Sequence, residues 1–268
     1  MDGPLLQLRG IGKNFGPVQA LNGIDLDIPA GQVTALVGDN GAGKSTLIKC
    51  IAGIWQPTTG QLEWKGKTLH LHSPRDATNL GIATVYQDLA LADNLDIVQN
   101  MLLGHEVTRF GLLDEINMEL TAKQTLKDLR VTTVRSIRQP VGSLSGGQRQ
   151  AVAVAKAVML DAELVIMDEP TAALGVTQTE LVLSLIERLA SRGIGVLVVS
   201  HNLTDVFRVA DRVAVVYLGR LAAVGPVAEF DTASVVDLMT TGASARLLSS
   251  SSGSEPAASG TVSSSSEG

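Results

Sequence analysis

Gly38-Asp39-Asn40-Gly41-Ala42-Gly43-Lys44-Ser45-Thr46 is a glycine-rich loop closed by a lysine and two hydroxyl residues. Ahead of it, Val33-Thr34-Ala35-Leu36-Val37 is apolar and β-branched, and Thr46 to Ala52 behind it has helical spacing, so the loop lies between a strand and a helix. That context is what the pattern G-x-x-x-x-G-K-[ST] requires of a phosphate cradle. Glycines let backbone N–H groups turn inward on phosphates, and the helix N-terminus behind them adds partial positive charge. Lys44 is expected to reach the terminal phosphates and Ser45 to ligate Mg²⁺. The plain alternative is a Gly-rich turn that happens to precede a helix.

The chain has 268 residues, 45% of them hydrophobic, enough for one sizeable core. Its net charge of −6, and the lack of a Lys/Arg cluster interleaved with aromatics, argue against a nucleic-acid partner. The single Cys50 cannot form an internal disulfide, which fits a reducing compartment, and it reads as a core thiol. Met1-Asp2-Gly3-Pro4 has no basic region followed by an apolar one, so no secretory signal is expected. The longest apolar stretches, Ala151 to Leu160 with Lys156 inside it and Val196 to Val199, fall far short of the roughly 20 residues that span a bilayer. A soluble chain is expected, with any role at a membrane coming through a partner.

Leu5 to Arg9 alternates like an edge strand, and Leu21 to Ile28 alternates before the Pro29-Ala30-Gly31 turn. Phe15, beside Gly16 in the loop expected between them, is either an aromatic platform for adenine or a small hydrophobic plug. Gln61 to Gly66 resumes alternation as an antiparallel strand. His70 and His72 share a strand face, but no Cys or further carboxylate gathers near them, so a metal site is not expected there. Ser73-Pro74-Arg75-Asp76 caps a short helix that Gly81 ends.

Ile82 to Tyr86 is a further strand, with Gln87 at its end. From there to about Asp161 the periodicity is helical with charged faces, which predicts a helical insertion. Arg135 and Arg138 read as a solvated face rather than an anion site. Leu144-Ser145-Gly146-Gly147-Gln148 opens a helix with capping-box spacing. Two glycines in a first turn cost stability unless bare backbone must approach something, and a phosphate is the natural candidate.

Leu164-Val165-Ile166-Met167 reads as a buried parallel strand that delivers Asp168 and Glu169 to its carboxyl end, the edge where open α/β sheets bind ligands. Asp168 is expected to hold Mg²⁺ and Glu169 to orient or deprotonate an attacking water. Gly195 to Ser200 is another buried strand, and His201 ends it at the same edge. Asp211 to Gly225 reads as a hairpin turning at Leu218-Gly219. Beyond Gly242 the chain turns to Ser, Gly, Ala and Pro and is expected to be disordered.

The cradle, Gln87, Leu144-Ser145-Gly146-Gly147-Gln148, Met167-Asp168-Glu169-Pro170 and His201, in this order, resemble the nucleotide-binding subunit of an ATP-binding-cassette transporter. The resemblance covers Leu5 to about Thr240. It implies an α/β fold: a P-loop NTPase (RecA-like) core with an antiparallel β subdomain and a helical subdomain inserted over about residues 88–160. The nucleotide-binding domain would span 1–242 and a Ser/Gly-rich tail 243–268.

The resemblance further implies ATP and Mg²⁺ as cofactors. Phe15 would stack on adenine. Gly38, Asn40, Gly41, Gly43, Lys44, Ser45 and Thr46 would hold the phosphates, and Ser145, Gly146, Gly147 and Gln148 would close over them from a second copy. Ser45, Gln87 and Asp168 would hold the metal, while Glu169, His201, Lys44 and Gln87 would serve catalysis. The implied assembly is a homodimer on integral-membrane permease subunits, on the cytoplasmic face of the cell membrane, served indirectly by an extracellular or periplasmic sugar-binding protein. Asp88 to Gly104 resembles the segment that docks on the permease and otherwise reads as an apolar-rich loop.

Where the family usually has Ser-Ala-Leu-Asp after the proline and threonine, this chain has Ala172-Ala173-Leu174-Gly175, which resembles the monosaccharide-import branch. The competing class is a non-transport ATPase of the same superfamily, acting in DNA repair or on ribosomes. Those proteins usually carry tandem cassettes, a coiled-coil insertion or basic surfaces, none of which is visible in this sequence.

Overall fold

The structure is a computed structural model that describes residues 3–109, 111–131 and 133–243. β1 (Leu6–Phe15) and β2 (Val18–Ile28) pair antiparallel, and β3 (Val33–Gly38) then runs into the glycine-rich loop and α1 (Lys44–Ile51). β4 (Thr59–Trp64) and β5 (Lys67–Leu69) complete a four-stranded antiparallel sheet in the order β2-β1-β4-β5. Leu6 to Arg9 is therefore interior to the sheet rather than an edge, because β1 pairs on both sides. Phe15 is the last residue of β1, opposite Val18, and does not lie in a loop.

After α2 (Pro74–Asn79), capped by Ser73 and Asp76, β6 (Ile82–Val85) enters the second sheet. The next segment is less uniformly helical than its periodicity predicts. It contains α3 (Ile97–Leu102), a hairpin of β7 (Thr108–Arg109) and β8 (Leu112–Leu113), α4 (Glu115–Asp128), a 3₁₀ turn at Val141–Ser143 and α5 (Gly146–Met159). Asp88 to Gly104 is likewise not all loop. Ile97, Val98, Met101 and Leu102 of α3 are buried among residues of α4 and α5, which accounts for the apolar content. Asn100 on the same helix is buried, and its side chain accepts from Ala92 N and donates to Ala92 O, Leu95 O and Asp96 O. The stretch after Gln87 is thus pinned to α3, and removing that amide would orphan buried backbone groups at about 1–3 kcal/mol.

β9 (Leu164–Asp168), α6 (Val176–Ser191), β10 (Gly195–Val199), α7 (Leu203–Val209), β11 (Arg212–Tyr217), β12 (Arg220–Pro226) and α8 (Thr232–Thr241) complete the described chain. The second sheet has six strands in the order β12-β11-β3-β10-β9-β6, parallel except where β12 returns beside β11. Alternate residues of its strands enter two cores. Val33, Ala35, Val37, Val165, Met167, Val196 and Val198 join the helices α5 to α8. Leu36, Leu164, Ile166, Leu197 and Val199 face α1 and the antiparallel sheet. With both faces covered, the strands read as continuous apolar runs. The expected tail lies outside the described residues from 244 onward.

The register places the site. Val199 pairs with Leu36 on one side and with Asp168 on the other, so three strands end together at one edge. The glycine-rich loop, Glu169 and His201 leave the sheet side by side.

Candidate functional site

Gly43 caps α1 with φ of 110°, and a Cβ there would stand 2.9 Å from Ala20 O, so only glycine fits this crossing between the loop and β2. The Lys44 side chain is buried and its Nζ donates to Gly38 O at 2.7 Å and Asp39 O at 3.0 Å, folding the lysine back over the loop. Burial lowers the Lys44 pKa from its ordinary value, opposed by Glu169, Asp39 and Asp168.

Ala20, Asn40, Gly41, Gly43, Lys44, Ser45, Thr46, Gln87, Asp168 and Glu169 line one cavity of about 290 Å³. The structure therefore brings together four separate segments: Ala20, the loop, Gln87 and the acidic pair. Ala20 is the one lining residue without a signal in its own neighbourhood of sequence, because it arrives from the other sheet.

Asp168 ends β9. Burial raises its pKa first, and the neighbouring Glu169 raises it further, while Lys44 and Lys49 oppose. Glu169 comes next, in the left-handed region with φ of 49°, a conformation unfavourable for a residue with a Cβ. Its backbone N–H donates to Val199 O at 2.8 Å, and its Oε1 lies 2.9 Å from His201 Nδ1. The backbone strain thus accompanies the placement of this carboxylate between the cavity and the histidine.

Asp205, to which no sequence motif points, joins the acidic and histidine segments from behind. Thr171 Oγ1 donates to Asp205 Oδ2 at 2.7 Å, and Asn202 Nδ2 donates to the same oxygen at 3.0 Å. Asn202 caps α7, so the available signal is the Asn202 to Asp205 spacing at a helix start.

Ser145, Gly146, Gly147 and Gln148 do not line this cavity. Ser145 caps α5 in a reciprocal box with Gln148. The glycines here meet an intramolecular demand as well. A Cβ at Gly147 would stand 2.9 Å from Gln178 Cβ, and one at Gly146 would stand 2.7 Å from Leu174 Cδ2. Within this chain the bare backbone approaches Leu174 and Gln178, at and just before the start of α6.

Phe15 is partly exposed and packs edge-on against Trp55, outside the cavity lining. Arg138 pairs with Asp96, Glu115 and Glu119, each at 3.3 Å, so it laces α4 to the N-terminus of α3 and is no anion site. Among the described residues no group of three or more His, Cys, Asp or Glu could hold a metal ion. Cys50 is buried and its thiol is pushed up to about 11 by burial, as befits a core residue.

The side-chain oxygen donors that line the cavity are the hydroxyls of Ser45 and Thr46, the amides of Asn40 and Gln87 and the carboxylates of Asp168 and Glu169. Hard donors of this kind suit Mg²⁺ better than soft transition metals. Gly41 adds bare backbone, with φ of 80° and nothing within 4 Å of where a Cβ would stand.

Residues 21–172 match the family described as ABC transporter. The chain is 44% identical over 236 residues to the xylose/arabinose import ATP-binding protein XylG of Sulfolobus acidocaldarius, covering 88% of this chain and 94% of that one. It is 43% identical over 244 residues to the fructose import ATP-binding protein FrcA of Rhizobium meliloti, covering 88% and 94%. Among solved structures, cbiO1 of Clostridium perfringens, part of the ABC transporter complex cbiONQ, superposes with a TM-score of 0.75 at 27% identity, over 85% of this chain and 90% of that one. The chain belongs to the ABC transporter ATP-binding family.

Proposed function

We propose that this chain is the ATP-hydrolysing subunit of an importer for a monosaccharide. The observation that carries the reading is the meeting of Lys44, Ser45, Gln87, Asp168 and Glu169 in one cavity, with His201 against Glu169. Lys44 and the amides of residues 41–46 hold the ATP phosphates, Glu169 takes the proton of the attacking water, and His201 holds Glu169 in place and contacts the γ-phosphate. Ser45, Gln87 and Asp168 would hold Mg²⁺, which would supply positive charge against the phosphate oxygens. The sugar class rests on the two relatives named for xylose/arabinose and fructose import.

Ser145 to Gly147 lie outside the cavity lining, which supports a role for them in a second copy's site, and a two-fold homodimer gives two identical sites. No helix among the described residues is long and apolar enough to cross a membrane. The relatives' role in import supports a dimer at the cytoplasmic face of the membrane, on permease subunits that receive sugar from an extracellular binding protein.

The test is purification of the tagged chain from membranes. An integral-membrane permease should co-purify, and a sugar-loaded binding protein should stimulate ATP hydrolysis by the complex. Recovery with ribosomes or nucleic acid instead would overturn the transport reading. Dilution tests the dimer: hydrolysis by the isolated chain should rise more than linearly with protein concentration, and strict linearity through the dimer's dissociation range would refute it.

A further inference from the structure

Phe15 and Trp55 meet edge to face, with ring centroids 4.7 Å apart and planes at 73°. Phe15 stays 41% exposed beside its antiparallel partner Val18, which is 62% exposed. Trp55 is tied to the C-terminal part of α1. Its backbone N–H and that of Ile54 donate to Lys49 O at 3.1 and 2.9 Å, and Lys49 Nζ lies 4.6 Å from the indole centroid. Lys49 is on α1, the helix that carries Lys44 and Ser45 at its start. Lys13 closes the circuit: its Nζ lies 5.2 Å from the Phe15 centroid and donates to Gln56 O at 2.7 Å.

Edge-to-face pairs and cations over ring faces are directional, because both depend on the ring quadrupole. The sequence of contacts Lys49, Trp55, Phe15 therefore fixes the Phe15 ring relative to α1, across the gap between the antiparallel sheet and the phosphate helix. A base stacked on the exposed side of Phe15, with its phosphates at the start of α1, needs that separation held. We propose that Trp55 is a positioning residue that sets Phe15 for the nucleotide base; this rests on the reading of Phe15 as the base platform. Trp55 acts through Phe15 and does not bind the phosphates.

The test is equilibrium titration of the full chain with ATP and, separately, with inorganic tripolyphosphate, which offers phosphates without a base. Trp55→Ala should weaken ATP binding about three- to tenfold, in line with the worth of an aromatic pair, and leave tripolyphosphate unchanged. Trp55→Phe, which keeps an aromatic edge, should recover most of the loss. In a Trp64→Phe background, where Trp55 is the remaining one of the two tryptophans, ATP should shift the indole emission and tripolyphosphate should not. If Trp55→Ala weakens both ligands equally, the indole supports α1 instead and the inference is wrong. If Phe15→Ala weakens ATP while Trp55→Ala does not, the inference fails and the platform reading stands. If Phe15→Ala leaves ATP binding unchanged, the platform reading itself fails and the inference falls with it.

Discussion

His201 Nδ1 lies 2.9 Å from Glu169 Oε1, although 32 residues separate the two in the chain. They meet because β9 and β10 run parallel in register, Asp168 beside Val199, so the residues just beyond each strand emerge at the same edge. Glu169→Gln keeps a hydrogen-bonding side chain beside His201 but removes the carboxylate proposed to accept a proton. Turnover should fall by about 10²- to 10⁴-fold, the range of a lost general base, with ATP binding retained and an ATP-bound dimer accumulating on size-exclusion chromatography. Unchanged hydrolysis with no trapped dimer would rule Glu169 out as the base.

Asp168 gives a pH-dependent prediction. Its folded-state pKa is raised by burial and by Glu169, so ionising it costs the folded ligand-free chain more than the unfolded one. The penalty is absent below the ordinary carboxylate value of 3.8 and complete once the pH has passed the raised folded value. Asp168→Asn should therefore raise the neutral-pH Tm of the ligand-free chain, by about 1–3 °C for a relieved desolvation penalty and a lesser repulsion from Glu169, while weakening Mg²⁺-dependent ATP hydrolysis. The Tm difference between variant and parent should shrink as pH falls into the acid range. A difference that stays constant with pH would show that Asp168 ionisation is not its source.

The sequence carries the core of this site because each part is local. The Gly38 to Thr46 loop, the acidic pair after Leu164 to Met167, and His201 after Gly195 to Ser200 are each a strand followed by its chemistry, and a parallel sheet gathers strand ends at one edge. The features that are not legible depend on long-range placement. Ala20 reaches the cavity from another sheet, and Asp205 ties Thr171 to Asn202 across 34 and 3 residues respectively. The short hairpin at Thr108 to Leu113 is hidden inside a helical pattern, since two-residue strands have no measurable period. Phe15 reads as a loop residue because the bulged register of β1 carries the strand past Gly10 and Gly12, where alternation breaks.

The glycines at 146 and 147 have two possible burdens, one structural and one functional, and a double variant separates them. A Cβ at position 147 meets Gln178 Cβ at 2.9 Å, so Gly147→Ala should destabilise the chain by about 1–3 kcal/mol through overpacking. Adding Gln178→Gly removes the obstructing Cβ and should recover part of that loss in denaturant unfolding, less the cost of about 1 kcal/mol for a glycine inside α6. ATP hydrolysis should stay low in the double variant if the turn at Ser145 to Gly147 serves a second copy's nucleotide as proposed, because the added methyl remains in that turn. Recovery of both stability and turnover would mean that the glycine serves only the packing of α5 on α6.

Gly175 caps α6 with no side-chain hydrogen bond, and the first turn of that helix carries no acidic residue. Its φ of −74° and ψ of 163° are ordinary for a residue with a Cβ, and nothing stands within 4 Å of where that Cβ would be. Aspartate, the residue usual at this position in the family, would meet no steric obstacle, could accept from N–H groups of the first turn, and would complement the helix dipole. Gly175→Asp should therefore stabilise the chain by about 0.5–1 kcal/mol, a rise in Tm of about 1–4 °C. The same variant restores the carboxylate whose absence sets this chain apart, so the ATP-concentration dependence of hydrolysis should be measured beside the melting curve. A gain in stability with an unchanged ATP dependence would assign the aspartate to helix capping alone. A lower Tm would contradict the capping geometry itself.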